Sequence, residues 1–172
     1  RLENALRAST VPVYVQFREK SLAAPALIRA FEHCQALCQE TGHAMLLNSA
    51  SWSVLKHHLH DLPCPLHLTE SDLLAGNFAE FLCAGASVHS VKGLTMAFER
   101  GLAYAMLGAV KATNSHPGQA GMGWSEFQTM ALEARLPVFA VGGLGVEDFE
   151  SAQQHGAHGI AMLSRFQAIS KR

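Results

Sequence analysis

The sequence predicts an α/β fold in which a parallel sheet, covered by helices, closes as a (β/α)8 barrel. Three observations carry that expectation. Short apolar runs alternate with helical stretches along the whole chain, and strict alternation of this kind puts parallel strands under helices. About seven such runs recur at intervals of roughly 20–35 residues, the length of a βα unit. Polar or glycine residues follow most runs at the carboxyl end, namely Arg18, Asn48, Thr69, Ser87, Thr113, Gly142-Gly143 and Ser164. A barrel gathers its functional groups at that end. A doubly wound open sheet is the competing topology, but a glycine pair this late in the chain suits the phosphate loop of a barrel. The first strand is expected before Arg1, because the chain opens without Met inside an amphipathic stretch (Leu2, Ala5, Leu6). Residues 1–172 then form a single barrel domain, the carboxyl-terminal part of a longer protein.

The elements follow in order. Val11 to Val15 is apolar and runs into Gln16-Phe-Arg18-Glu-Lys20. If the strand persists, alternation points Gln16, Arg18 and Lys20 the same way. Leu22–Glu40 has apolar residues at helical spacing, from Leu27 and Phe31 to Leu37 and Cys38, and Gly42 supplies its stop. His43–Asn48 is a strand, Ser51–His58 a short helix and Cys64–Leu68 a strand; Ser71–Asn77 is a helix with Ser71 as its cap. Phe81–Gly85 is a strand, His89–Arg100 a helix and Ala103–Leu107 a strand, after which a glycine-rich loop runs from Lys111 to Gly123. Trp124–Ala134 is a helix, Pro137–Val141 a strand, Val146–Gln154 a helix and Gly159–Leu163 the last strand.

Bulk composition sets limits. The chain is 49% apolar and 16% charged, with a formal net charge of −1. Such a chain folds around a large core, and no global field recruits nucleic acid or an anionic membrane. No apolar run approaches the length of a bilayer span and no leader opens the chain, which points to the cytoplasm. Cys34, Cys38, Cys64 and Cys83 stand in apolar surroundings without a metal-binding spacing, so they read as buried free thiols. His57-His58-Leu-His60 reads as a solvated helix end.

Several stretches carry chemistry. Gln16, Arg18 and Lys20 at a strand end offer an amide and two cations to an anion such as a diphosphate, although strand ends in solvent also carry such residues. Gly142-Gly143-Leu144 follows a strand and precedes a helix, so its backbone N–H groups can approach a phosphate, with Ser164 at the end of the last strand completing the cradle. Asp72 suits either a magnesium ion or the start of a helix. Ser87 suits either a diphosphate or, like Ser90, a helix cap. Thr113-Asn-Ser115-His116 lies in the one long loop, which Pro117, Gly118, Gly121 and Gly123 mark as a flap.

Taken in order, these stretches resemble the thiamine-phosphate synthase family and its relative, the thiazole tautomerase, from Gln16 to Arg165. Gln16-Phe-Arg18-Glu-Lys20 looks like the family's diphosphate-binding strand end. Asn48 matches the Asn of its Asn-Asp motif, and His67-Leu68 through Asp72 its His-Leu-Gly-Gln-x-Asp metal segment. Ser87-Val-His89-Ser90 resembles its Ser-x-His-Ser element, in the tautomerase-like spelling. Gly108 to His116 resembles its Gly-Pro-x-Phe-x-Thr-x-Thr-Lys loop, and Gly142-Gly143-Leu144 with Ser164 its thiazole-phosphate site. The resemblance implies a TIM barrel and a Mg²⁺-assisted transfer. Hydroxymethylpyrimidine diphosphate loses diphosphate, and the thiazole phosphate nitrogen captures the pyrimidine cation. It implies catalytic roles for Arg18, Lys20, Ser87 and His116. Substrate binding falls to Gln16, Asn48, Thr113, Ser115, Gly142, Gly143 and Ser164, and metal binding to Asp72.

The chain departs from that pattern. Ser49 replaces the Asp of Asn-Asp, Thr69-Glu70 replaces the Gly-Gln, and His116 and Ser115 replace the loop's Lys and second Thr. Mg²⁺ binding is therefore expected to be weak or lost and the transferase activity degenerate. The tautomerase's acid–base His is replaced by Ala109. Thr113-Asn-Ser115-His116-Pro117 with Gly123-Trp124 also looks like the variant domain fused behind a Nudix (MutT-type) hydrolase in some bacteria. A non-catalytic domain that binds a phosphorylated ligand beside such a hydrolase, with no nucleic acid bound by the domain itself, is one alternative expectation, and a thiazole tautomerase-like isomerase is the other.

Overall fold

The computed structural model describes residues 2–19, 21–59, 61–62, 64–113, 118 and 120–163. Its elements alternate as α1 (Leu2–Ala8), β1 (Tyr14–Phe17), α2 (Ala24–Thr41), β2 (Ala44–Asn48), α3 (Ser49–Leu55), β3 (Leu66–Leu68), α4 (Glu70–Leu74), β4 (Cys83–Val88), α5 (Val91–Glu99), β5 (Tyr104–Gly108), α6 (Gly123–Leu132), β6 (Val138–Val141), α7 (Phe149–Gln154) and β7 (Gly159–Ala161). Among the described residues seven strands form one sheet in chain order. Every neighbouring pair is parallel.

The sheet is curled, and one contact shows how far. Gln16 on β1 brings its Nε2 to 3.8 Å from Sδ of Met106 on β5. In a flat sheet, strands four spacings apart lie about 19 Å from each other. The two ends of the β1–β5 arc therefore bend toward one another, and the sheet makes an open barrel with a concave inner face.

Alternation along each strand sorts the side chains onto the two faces. Leu47, Leu66, Leu68, Ala86, Val88, Ala105, Leu107, Val138 and Ala140 join the main buried cluster with Leu27, Phe31, Leu94 and Phe127 of the helices. Phe17 meets Phe31 of α2 edge-on at 5.5 Å between ring centroids. The apolar core thus lies between sheet and helices, and the other residue set of each strand is left for the concave face. That set includes Gln16, Asn48, His67, Ser87 and Tyr104.

Element boundaries differ from the sequence expectation in ways that bear on the site. β1 ends at Phe17, so Arg18 leaves the sheet instead of continuing the alternation with Gln16. β4 runs Cys83–Val88 and not Phe81–Gly85, because Phe81 packs edge-on against Trp52 at 6.0 Å while the strand continues beneath the Tyr104 ring. α4 is capped by Thr69, whose hydroxyl accepts from the Asp72 N–H, not by Ser71. α3 starts at Ser49, with Asn48 as its cap. A single 3₁₀ turn, Val146–Asp148, precedes α7, and β7 stops at Ala161. Gly42 does end α2 as expected, in the left-handed conformation at φ 71°. Among the described residues no helix is long and apolar enough to cross a membrane.

Candidate functional site

The carboxyl ends of β1 to β4 bring four polar groups to one rim. Asn48 is 2% exposed; it donates from Nδ2 to Oε1 of Gln16 at 3.0 Å and accepts from the Ala50 N–H at 3.1 Å. Both ends of its amide are fixed, one to β1 and the other to the start of α3. The backbone after Arg18 is pinned in turn: Ser51 Oγ accepts from the Glu19 N–H at 3.1 Å and donates to the Glu19 carbonyl at 3.2 Å. Arg18 is exposed at this rim, and its charge reaches His67 on β3.

His67 is the centre of the concave face. It is fully buried, with Nδ1 2.8 Å from the Tyr104 hydroxyl and Nε2 2.9 Å from Ser87 Oγ. The register pairs His67 with Gly85 and Gly85 with Tyr104, so the Tyr104 ring reaches across β4. Gly85 makes that possible, since a Cβ there would lie 2.6 Å from Cε1 of the ring. Burial, aided by the Arg18 charge, pushes the His67 pKa down to about 4. Burial also raises the Tyr104 phenol above its ordinary value. At neutral pH the imidazole is uncharged and the phenol protonated.

Asp72 sits beside the start of α3. Its Oδ2 accepts from Ser49 Oγ at 2.6 Å and Thr69 Oγ1 at 2.7 Å, and its Oδ1 accepts from Asn77 Nδ2 at 3.1 Å. Burial pushes this carboxyl up, but the bonds from Ser49, Asn77 and Thr69 outweigh it and hold the pKa below its ordinary value. Glu70, next to it, accepts from the Ser90 hydroxyl at 2.6 Å and from the His89 N–H at 3.1 Å. A carboxylate of the chain itself thus lies at the start of α5, where Ser90 is the cap.

The glycine pair lies on the other side of the rim. Gly142 and Gly143 both have positive φ, 104° and 68°. The loop after β5 lies against them: Val110 N–H donates to Val141 O at 2.9 Å and Lys111 N–H to Gly142 O at 3.1 Å. A Cβ on Gly143 would come within 2.8 Å of the Ala112 carbonyl oxygen. Lys111, at the position of the motif's Phe, bonds from Nζ to Asp148 Oδ1 at 2.6 Å, while Asp148 Oδ2 accepts from the Gly145 N–H at 2.9 Å. Thr113, farther along this loop, is half-buried.

The structure therefore brings Gln16, Asn48, Arg18 and Ser87 together around His67, with Asp72 beside Asn48's own helix and Gly142 and Gly143 beneath the β5 loop. Lys20, Ser115, His116 and Ser164 lie outside the described residues. Sequence reasoning missed the parts played by His67, Tyr104, Glu70, Lys111 and Asp148. A polar residue between two apolar neighbours in a short strand, as in Leu66-His67-Leu68, is the signal that would have found the first. Among the described residues, no three His, Cys, Asp or Glu side chains gather as a metal site. Cys34 and Cys38 are buried, but Cys64 and Cys83 are half-buried, unlike the expectation for all four.

Comparison with known proteins agrees with this picture. The family described as thiamine monophosphate synthase matches residues 1–166. A thiamine-phosphate synthase of Thermosynechococcus vestitus is 27% identical over 161 residues, covering 91% of this chain and 44% of that protein. A putative thiamine-phosphate synthase 2 of Aquifex aeolicus is 26% identical over 152 residues, 88% of this chain and 81% of that protein. This chain accordingly spans less than half the length of the first relative and most of the second. A solved thiamine phosphate pyrophosphorylase from Pyrococcus furiosus superposes with a TM-score of 0.69 at 17% identity, over 99% of this chain and 84% of that one; at that identity the likeness is one of fold. With the family match running along nearly the whole sequence and the curled parallel sheet in agreement, the chain belongs to the thiamine monophosphate synthase family.

Proposed function

We propose that the rim binds small phosphorylated substrates and joins hydroxymethylpyrimidine diphosphate to thiazole phosphate, slowly, with release of diphosphate. The observation that carries the binding part is the convergence on one concave face of Gln16, Asn48 and Ser87, with the exposed Arg18 above them. In this reading Arg18, Lys20, Asn48 and Ser87 hold the diphosphate, and His116 has the catalytic role of the family's loop Lys. Thr113 and Ser115 take part in substrate binding, and Gly142, Gly143 and Ser164 cradle the thiazole phosphate. The carbon–oxygen bond to diphosphate breaks with the electron pair leaving on oxygen, and the thiazole nitrogen lone pair forms the new carbon–nitrogen bond. Donors fixed before the ligand arrives stabilise the growing charge without reorganising.

A resident magnesium ion does not fit the groups on this rim. Magnesium takes near-octahedral oxygen ligands and usually one or two carboxylates. Among the described residues Asp72 is the carboxylate at the family's metal position, three hydrogen bonds already point into its two oxygens, and Ser49 supplies a proton where the family pattern has a second carboxylate. We assign no step to a metal. The same corner favours a second reading, a non-catalytic phosphate-ligand domain of the kind fused to a Nudix hydrolase.

The test is calorimetric titration with inorganic diphosphate, with hydroxymethylpyrimidine diphosphate and with thiazole phosphate, alongside a thiamine phosphate assay. Turnover supports the synthase reading. Binding with no turnover supports the second, and no binding of any phosphorylated ligand overturns both.

A further inference from the structure

We infer that His67 and Tyr104 are positioning residues that make the Ser87 hydroxyl a fixed hydrogen-bond donor toward an anionic ligand at the rim. The donor's use rests on the phosphate-binding reading above; its direction does not.

The argument counts protons. His67 is completely buried between two hydroxyls, with Tyr104 at Nδ1 and Ser87 at Nε2. A neutral imidazole carries one N–H, so it donates to one neighbour and accepts from the other. The charged Arg18 nearby and the burial both favour the neutral ring. The Tyr104 phenol is also protonated, and among the described residues the acceptor beside it is His67 Nδ1. Tyr104 is half-buried; a ring proton on Nδ1 would turn the phenol into the acceptor and leave its own hydrogen without the partner it has in the structure, an arrangement folded proteins avoid. The phenol therefore donates to Nδ1, and the proton of the ring sits on Nε2 and points at Ser87 Oγ.

A serine oxygen that accepts this bond keeps its own hydrogen for another partner. Ser87 is half-buried near the carboxyl end of β4, so its hydrogen is left for the rim, where a phosphoryl oxygen has no proton to offer in return. Each donor in the row Tyr104–His67–Ser87 polarises the next, and the last becomes a better donor as negative charge grows on a leaving diphosphate. Gly85 belongs to the device, because it lets the Tyr104 ring cross β4 to reach His67.

Two measurements test this. The first needs no ligand: the ring nitrogens of His67 are read by ¹⁵N NMR in the free protein. A proton on Nε2 supports the inference, and a proton on Nδ1 or a doubly protonated ring overturns it. The second is titration with inorganic diphosphate. His67→Ala is expected to weaken binding about tenfold, the effect of one good donor to an anion. His67→Gln, which places an amide N–H near the old Nε2 position, restores most of it. Ser87→Ala combined with His67→Ala is expected to bind no worse than Ser87→Ala alone, since the two act as one unit. Losses that add, or a His67→Gln variant no better than His67→Ala at equal melting temperature, overturn the inference. Should His67→Ala fail to fold, Tyr104→Phe keeps the shape and removes the phenol proton. It is then expected to weaken binding, and unchanged affinity overturns the role of Tyr104. Wild-type protein that binds no diphosphate sinks the phosphate reading alone, because the NMR result still decides the direction of the row.

Discussion

Ser49 Oγ lies 2.6 Å from Asp72 Oδ2 and donates to it, so a hydroxyl proton neutralises part of the charge that a metal ion would neutralise. Ser49 is fully buried and also accepts from the Thr69 N–H at 3.1 Å. Ser49→Asp replaces the donor with a second carboxylate. In metal-free buffer the like charges are expected to lower stability by about 1–3 kcal/mol. Added Mn²⁺ or Mg²⁺ should restore it, seen as a metal-dependent rise in melting temperature that the parent lacks. An equal rise in the parent would show that Asp72 already holds a metal.

Lys111 and Asp148 tie the β5 loop to the turn after β6. Burial pushes the Asp148 carboxyl up, but the Lys111 hydrogen bond, the Gly145 N–H and the Lys111 charge outweigh it and hold the pKa below the ordinary carboxylate value. A carboxyl depressed in the folded state contributes stability above its unfolded value of about 3.9, and that contribution is lost as pH falls through the folded value. Asp148→Asn is therefore expected to cost about 1–2 kcal/mol at pH 7. The gap between variant and parent should stay flat down to about pH 5 and close below about pH 4. Denaturant melts at several pH values check this; a gap that widens in acid contradicts it.

Gly85 and Tyr104 are coupled by space. Gly85→Ala drives a methyl into the ring and is expected to cost about 1–3 kcal/mol, the range for overpacking. The same change in a Tyr104→Val background should cost much less, and a double-mutant cycle measures the difference. Equal costs in both backgrounds would mean that the ring moves aside freely.

Gly143 is held at φ 68° under the Ala112 carbonyl. Gly143→Ala is expected to destabilise by at least about 1–2 kcal/mol, since an L side chain pays that much in the left-handed region alone. It should also abolish binding of thiazole phosphate at this turn. Titration with that ligand in a variant confirmed folded by circular dichroism is the check, and unaltered affinity would place the phosphate elsewhere.

The thiols give an independent readout of the core. Burial, with help from Cys38, pushes Cys34 up to about 12, and burial first, then Cys38, pushes Cys64 up to about 11. Both stay protonated, and a thiol reacts through its thiolate. Labelling by iodoacetamide at pH 8 is expected to be slow in the native state and fast in denaturant for these two. Rapid native labelling of Cys34 would mean that α2 opens.

Much of the architecture was legible in the sequence, for reasons that particular elements make plain. The β/α alternation, the seven apolar strands and the Gly42 stop are local signals, and each stands in the structure. Boundaries shifted where a tertiary contact outweighed local preference. Phe81 left the strand to pack on Trp52, and Gly85, which reads as a terminator, sits inside β4 because a ring from β5 covers it. For the candidate site, the places of Gln16, Asn48 and Ser87 at strand ends were legible, but their partners were not. Nothing local says that Asn48 meets Gln16 across 32 positions or that His67 meets Tyr104 across 37.

The sequence by itself determined the strand and helix order, the apolar faces and the family motifs, because periodicity and residue type act over a few positions. Only the folded sheet decided what the polar groups do. Its curl sets Gln16 against Met106, turns His67 into a neutral link between Tyr104 and Ser87, and closes Asp72 with the hydroxyl of Ser49. Hydrogen-bond partners and burial depend on distances between elements far apart in the chain, and those distances exist only once the strands have packed side by side.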